Sequence, residues 1–177
     1  MNSFDDAVAR HLRSQQQSSD DETARRAAKS RACASAAAEM SRLLAQLADY
    51  LNQHSQPRAI EIGPRAKWYK RPTMSPQGHV LSDYRGGYHR SIVMLLPDGQ
   101  LWKYLSGEPA VVLDLRAEFD LPYTSHTGDV GIGKFLFSAD ISSGALCAST
   151  KTHDGETWRR VDPSEALAEI AANFCTS

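Results

Sequence analysis

ETARRAAKSRACASAAAEMSRLLAQLADYLNQH, residues 22–54, contains neither glycine nor proline and is dense in alanine. Alanine favours helix because ordering it costs no side-chain entropy. Cys33, Ala36, Ala37, Met40, Leu43, Leu44, Leu47 and Leu51 keep the three-and-four spacing of one helical face. Asp20 or Asp21 is the expected N-cap, with Glu22 in a first turn that favours negative charge. A helix over 22–54 would be about 50 Å long, more than a domain of this size covers. Its first half is small and basic (Arg25, Arg26, Lys29, Arg31) and its second half is large and apolar. The second half is expected to dock on a sheet. The first half is expected to project, or to pack closely on another helix.

Outward from this helix the signals change. Upstream, Phe4, Val8 and Leu12 stand four apart and suit a short helix over 1–16. The polar run Gln15–Asp21 reads as a hinge or a helix start, so residues 1–21 form a flexible N-terminal segment ahead of one domain, 22–177. Downstream of Pro57, short runs bounded by turn residues predict an antiparallel sheet over 58–161. The strand candidates are 59–62, 67–71, 79–84, 88–96, 101–105, 110–115, 134–140, 145–151 and 156–161. Pro97-Asp98-Gly99, between SIVMLL and QLWKYL, is the clearest hairpin signal. Residues 116–133 read as a long loop. Asp162-Pro163-Ser164-Glu165 supplies an N-cap and a proline at the first helical position, opening a helix over 163–174. The expected class is α+β: a long N-terminal helix packed on an antiparallel β-meander sheet, with a short C-terminal helix. The absence of strand–helix alternation argues against a dinucleotide-binding fold.

Composition narrows the function classes. The chain has 177 residues, 41% of them hydrophobic, enough for one core. A net charge of −1 does not suggest nucleic acid or an anionic membrane as a general partner. Three cysteines, Cys33, Cys147 and Cys175, are too few and too far apart for a disulfide framework or a zinc knuckle. The N-terminus has no apolar signal core, and no stretch approaches the roughly 20 apolar residues that span a bilayer. The expected compartment is the cytoplasm, with no membrane contact, no cofactor and no metal.

Three constellations bear on chemistry. Gly128-Asp129-Val130-Gly131-Ile132-Gly133-Lys134 satisfies the spacing of a phosphate-cradling loop. However, Phe135 stands where a magnesium-binding hydroxyl is needed, and the segment after it reads as strand. With Asp120, Tyr123, Ser125 and His126, loop 120–134 is also the one candidate for a small hydrolase or transferase site. Asp114, after an apolar run, loosely resembles a magnesium-binding strand end. The second constellation is Arg65, Lys67, Tyr69 and Arg71, which share a face if 65–71 is a strand. Three cations beside an aromatic ring suit phosphates and a stacked base, although a solvated edge strand is the commoner use. The third is Leu101–Leu105, where Trp102 and Tyr104 share one face and Leu101 and Leu105 the other. Either both sheet faces are covered, or the aromatic face is left for a partner.

The leading expectation is a non-enzymatic protein-interaction module: a regulator, inhibitor or adaptor. It would bind another protein, or a second copy of itself as a homodimer, through Trp102 and Tyr104 and through Arg25 and Arg26 on the projecting helix. The alternative is a nucleic-acid or nucleotide-phosphate binder using Arg65, Lys67, Tyr69, Arg71, His126, Gly131, Gly133 and Lys134.

Overall fold

An uninterrupted helix-forming sequence continues as helix until something stops it, and nothing does so before His54. In the computed structural model, which describes residues 3–60, 76–86, 89–106, 110–121, 129–152 and 157–175, helix α1 runs from Ser3 to His54. Its 52 residues give a length of about 78 Å. The polar run Gln15–Asp21, expected as a hinge, is helical throughout, and Asp20 and Asp21 lie inside the helix rather than capping it. Glutamine is a good helix former, and the short polar side chains turn back on the helix itself. Thr23 Oγ1 donates to the Ser19 carbonyl at 2.9 Å, Arg10 Nε donates to the Asp6 carbonyl, and Arg26 pairs with Glu22.

The strands form two antiparallel meanders where one was expected. The first has five strands in chain order: β1 (Arg58–Ala59), β2 (Gln77–Gly86), β3 (His89–Leu95), β4 (Leu101–Leu105) and β5 (Val111–Val112). The second has four: β6 (Asp129–Ile132), β7 (Phe135–Ala139), β8 (Leu146–Lys151) and β9 (Trp158–Val161). Between them lies a short helix, α2 (Leu115–Asp120), and α3 (Pro163–Cys175) ends the chain. The division occurs at Asp114. Its carboxylate accepts from the Arg116 and Ala117 amides at 3.0 and 3.2 Å, which caps α2 and ends β5 after two residues. Asp162 does the same for α3, accepting from Ser164 N at 2.8 Å and Glu165 N at 3.2 Å, as the sequence predicts. The strand expected over 67–71 lies outside the described residues.

One core joins these parts. Cys33, Ala36, Met40, Leu44 and Leu51 of α1 are fully buried, against Val93, Leu95 and Leu101 of the first sheet and Val130, Ile132, Phe135 and Phe137 of the second. Leu167, Ile170 and Ala171 of α3 and Leu115 and Phe119 of α2 complete it. The hairpin at Pro97–Gly99 lies directly on α1. Gly99 has φ +86°, and a Cβ there would stand 2.9 Å from the Cα of Ala45, so only glycine lets the turn touch the helix backbone. Asn52 Nδ2 donates to the Pro97 carbonyl at 3.1 Å and ties the same turn to the end of α1.

His79 of β2 is 0% exposed and closes the junction of α1, β2 and α3. Because the Asn52 amide nitrogen faces Pro97, its Oδ1 faces His79 Nε2 at 2.9 Å, so Nε2 carries the proton. Nδ1 lies 3.1 Å from the Ser55 hydroxyl, and the ring meets Phe174 edge-on at 5.6 Å. None of these partners is anionic, and burial holds the imidazole below its ordinary value of 6.5. The unfolded chain therefore takes up this proton at a higher pH than the native one. The stability that the neutral ring contributes is complete above about pH 6.5 and is lost as pH falls below it. Thermal melts from pH 8 to pH 5 are expected to show Tm falling below about pH 6.5, and His79→Asn to flatten that slope.

Position along α1 sets the cost of a charge. Leu47→Asp, placing an unpaired carboxylate in the core, is expected to cost about 4 kcal/mol or more and to leave the protein unfolded or insoluble. Leu12→Asp on the same helix is expected to change stability by no more than about 0.5 kcal/mol. Urea denaturation of both variants checks the contrast.

Candidate interaction surface

The body of the protein begins well along α1. From Asp6 to Ala28 every residue is exposed except the half-buried Ala9. This arm of more than six turns includes Val8, 42% exposed, and Leu12, 58% exposed, four residues apart on one face. Arg25 and Arg26 lie near its base and are exposed, as the sequence reading requires of a binding surface.

Helix α2 grips the base of the arm. Lys29 Nζ donates to the Asp120 carbonyl at 2.6 Å and pairs with its carboxylate at 3.1 Å. Arg116 reaches the Ser30 hydroxyl at 3.0 Å, and the buried Cys33 thiol donates to the Phe119 carbonyl at 3.3 Å. Burial, and then the nearby Asp120 carboxylate, raise the Cys33 thiol above its ordinary value, so it stays protonated and can donate. Sequence reasoning missed this clamp, having taken residues 110–115 as strand and 116–133 as loop. The available signal was Asp114 as a cap, followed by Leu115 and Phe119 at helical spacing.

The aromatic sheet face does not offer the surface expected of it. Trp102 and Tyr104 do share a face, opposite Met94 and Ile92 in the register of β3 and β4. Yet Trp102 is 4% exposed, in a second cluster with Ile92 and Met94 against which Ile60, Val80 and Tyr104 pack. Tyr104 is half-buried, with its ring 6.4 Å from that of Trp102. The face reads as an unpartnered apolar surface only while the chain's own cover is unknown.

The glycine-rich motif does not form a phosphate loop in its described part. Gly131 lies within β6, and Gly133 and Lys134 are the two residues of a tight turn into β7, with Gly133 at φ +59°. A phosphate cradle needs a helix N-terminus after the loop, and a strand follows here. Lys134 pairs with Glu169 of α3 at 2.5 Å and lies 5.3 Å from the centre of the Phe135 ring, at the rim of a 520 Å³ cleft that Arg58, Asp83 and Phe174 also line. Asp114, compared above with a magnesium ligand, spends its carboxylate on the cap of α2. Arg65, Lys67, Tyr69, Arg71, His126 and Gly128 lie outside the described residues. Among the described residues no three His, Cys, Asp or Glu side chains are placed to hold a metal ion, and no helix is long and apolar enough to cross a membrane.

The turn geometry leads to a direct expectation for Lys134. ATP or GTP with magnesium should leave Tm unchanged. Lys134→Ala, which breaks an exposed ion pair and an exposed cation–ring contact with Phe135, should change stability by less than about 1 kcal/mol. Differential scanning fluorimetry checks both, and a nucleotide-induced rise in Tm that vanishes in Lys134→Ala would establish a phosphate site after all. No protein-family model matches this chain, and neither curated proteins nor solved structures yield a match.

Proposed function

We propose that this protein is a non-enzymatic interaction module of the cytoplasm, a regulator, inhibitor or adaptor, and that the α1 arm is the element by which it binds another protein. One observation carries the reading: α1 extends beyond the body that it organises for a further 23 residues, Asp6–Ala28, almost all of them exposed. An isolated helix gains little from propensity alone, and most helical stability in proteins comes from packing one face. A solvated arm of this length, with Val8 and Leu12 on one side, therefore suits a helix whose second packing surface is another molecule. Charge supports a protein partner over a polyanion, because the acidic Asp20, Asp21 and Glu22 sit next to the basic Arg25 and Arg26.

A photo-crosslinking amino acid placed at Leu12 tests this in cells that naturally express the protein. It is expected to yield adducts of defined mass, whereas the same group at exposed Ile141, on a turn of the second sheet, is expected to yield none. Failure to obtain any adduct through the arm would overturn the reading.

A further inference from the structure

The two sheets and the end of α3 leave a cleft between them. Its volume is 520 Å³, and it is walled by β2, by the turn from β6 into β7 and by the last turns of α3. Cavities of about 300–1,000 Å³ are the usual seats of small ligands. We propose that this cleft binds a small aromatic carboxylate, with its ring against Phe174 and its anionic group on Arg58. Among the described residues, none of those lining the cleft belongs to α1, so the site is separate from the arm and independent of the reading given to it.

Three observations support that ligand. The first is how β2 is built. β1 pairs with β2 only at Gln77 and Gly78, so beyond them the outer edge of β2 has no strand beside it among the described residues. The register with β3 then shifts at Leu81: Val80 lies opposite Met94, and Ser82 opposite Val93. Residues directly opposite share a face, and Val93 belongs to the core under α1. Leu81 packs on that core as well, so the bulge turns two successive residues to the inner side, where a regular strand would alternate. Both line the cleft.

The second is charge. Asp83, the carboxylate of the cleft, accepts from Arg90 through both oxygens at 2.8 Å and from Arg85 at 3.3 Å. Lys134 is met by Glu169. The Arg58 guanidinium and the Ser82 hydroxyl, by contrast, have no ion-pair or hydrogen-bond partner among the described residues. The cleft thus keeps an unmatched positive charge and a spare hydroxyl, in a chain whose net charge is −1. That is the polar complement of a single carboxylate, and it leaves the several charges of a nucleoside triphosphate unmatched. The third is the apolar lining, supplied by Leu81, Ile170 and Phe174. The Phe174 ring is half-buried, and it meets the buried His79 edge-on at 5.6 Å. A ring already held in place favours another ring over an alkyl chain, because aromatic pairs gain more than their buried area.

Nuclear magnetic resonance titration of the nitrogen-15-labelled full chain with cinnamate tests the assignment. Saturable amide shifts are expected at Leu81, Ser82, Gly133 and Phe174. Cinnamamide, the same ring without the charge, is expected to bind about tenfold more weakly, and octanoate, the same charge without the ring, more weakly than cinnamate. Arg58→Gln is expected to weaken cinnamate about tenfold and to leave cinnamamide unchanged. Because Arg58 is exposed, this variant should keep the wild-type melting temperature. Ser82→Tyr, which fills the cleft, is expected to abolish the shifts from all three compounds. Four results would each overturn the proposal: no saturable shift up to the solubility of cinnamate, equal binding of either analogue, undiminished binding by Arg58→Gln, or shifts centred instead on the apolar groove of Leu43, Tyr50 and Ala168 between α1 and α3.

Discussion

Burial of one face of α1 between Cys33 and Leu51 is the interaction on which every other element depends. Each of the two sheets is too small to enclose a core alone, and each buries its inner residues against that face. Helices α2 and α3 use the same face and its flanks. The result is a body with a single rod through it, in which the sheets are joined through the helix they share. The contact is close enough to select residue type. At Gly99 the backbone of a hairpin turn meets the backbone of the helix at Ala45, and at Gly144 another turn approaches Ala32 and Ser35.

Much of this architecture is legible in the sequence because it depends on local rules. The docked half of α1 shows a three-and-four repeat of large apolar residues. The caps at Asp162 and the hairpin at Pro97–Gly99 use residues whose conformations are set within a few positions. What is not legible depends on context. Gln15–Asp21 is polar enough for a loop and regular enough for a helix, and the absence of glycine and proline decides for helix. Asp114 reads as a strand end or as a cap according to whether Leu115 and Phe119 find a core, and they find it beside Cys33. Trp102 looks available in a two-sided strand because the residues that cover it, among them Ile60 and Val80, lie elsewhere in the chain.

The site follows the same division. The arm is visible in the sequence as a helix longer than its apolar half, but not how firmly it is held. That depends on a six-residue helix distant in sequence, whose Asp120, Arg116 and Phe119 fasten Lys29, Ser30 and Cys33. Individually these contacts are modest, since the first two are at least partly exposed. Together they hold α2 against the base of the arm at Lys29, Ser30 and Cys33.

The order of the elements, with the rod ahead of every strand that covers it, has a consequence for biosynthesis. A ribosome delivers the apolar face of α1 before any strand that will cover it, and α3 comes last. From Leu51 to Ala171, at 5–20 residues per second, translation takes roughly 6–24 s. For much of that interval the nascent polypeptide carries an amphipathic helix whose greasy side has only part of its native cover. Chaperone capture of the nascent segment 33–51 is the ordinary remedy for such surfaces, and the yield of native protein should depend on it more steeply than for a fold whose central element is made last.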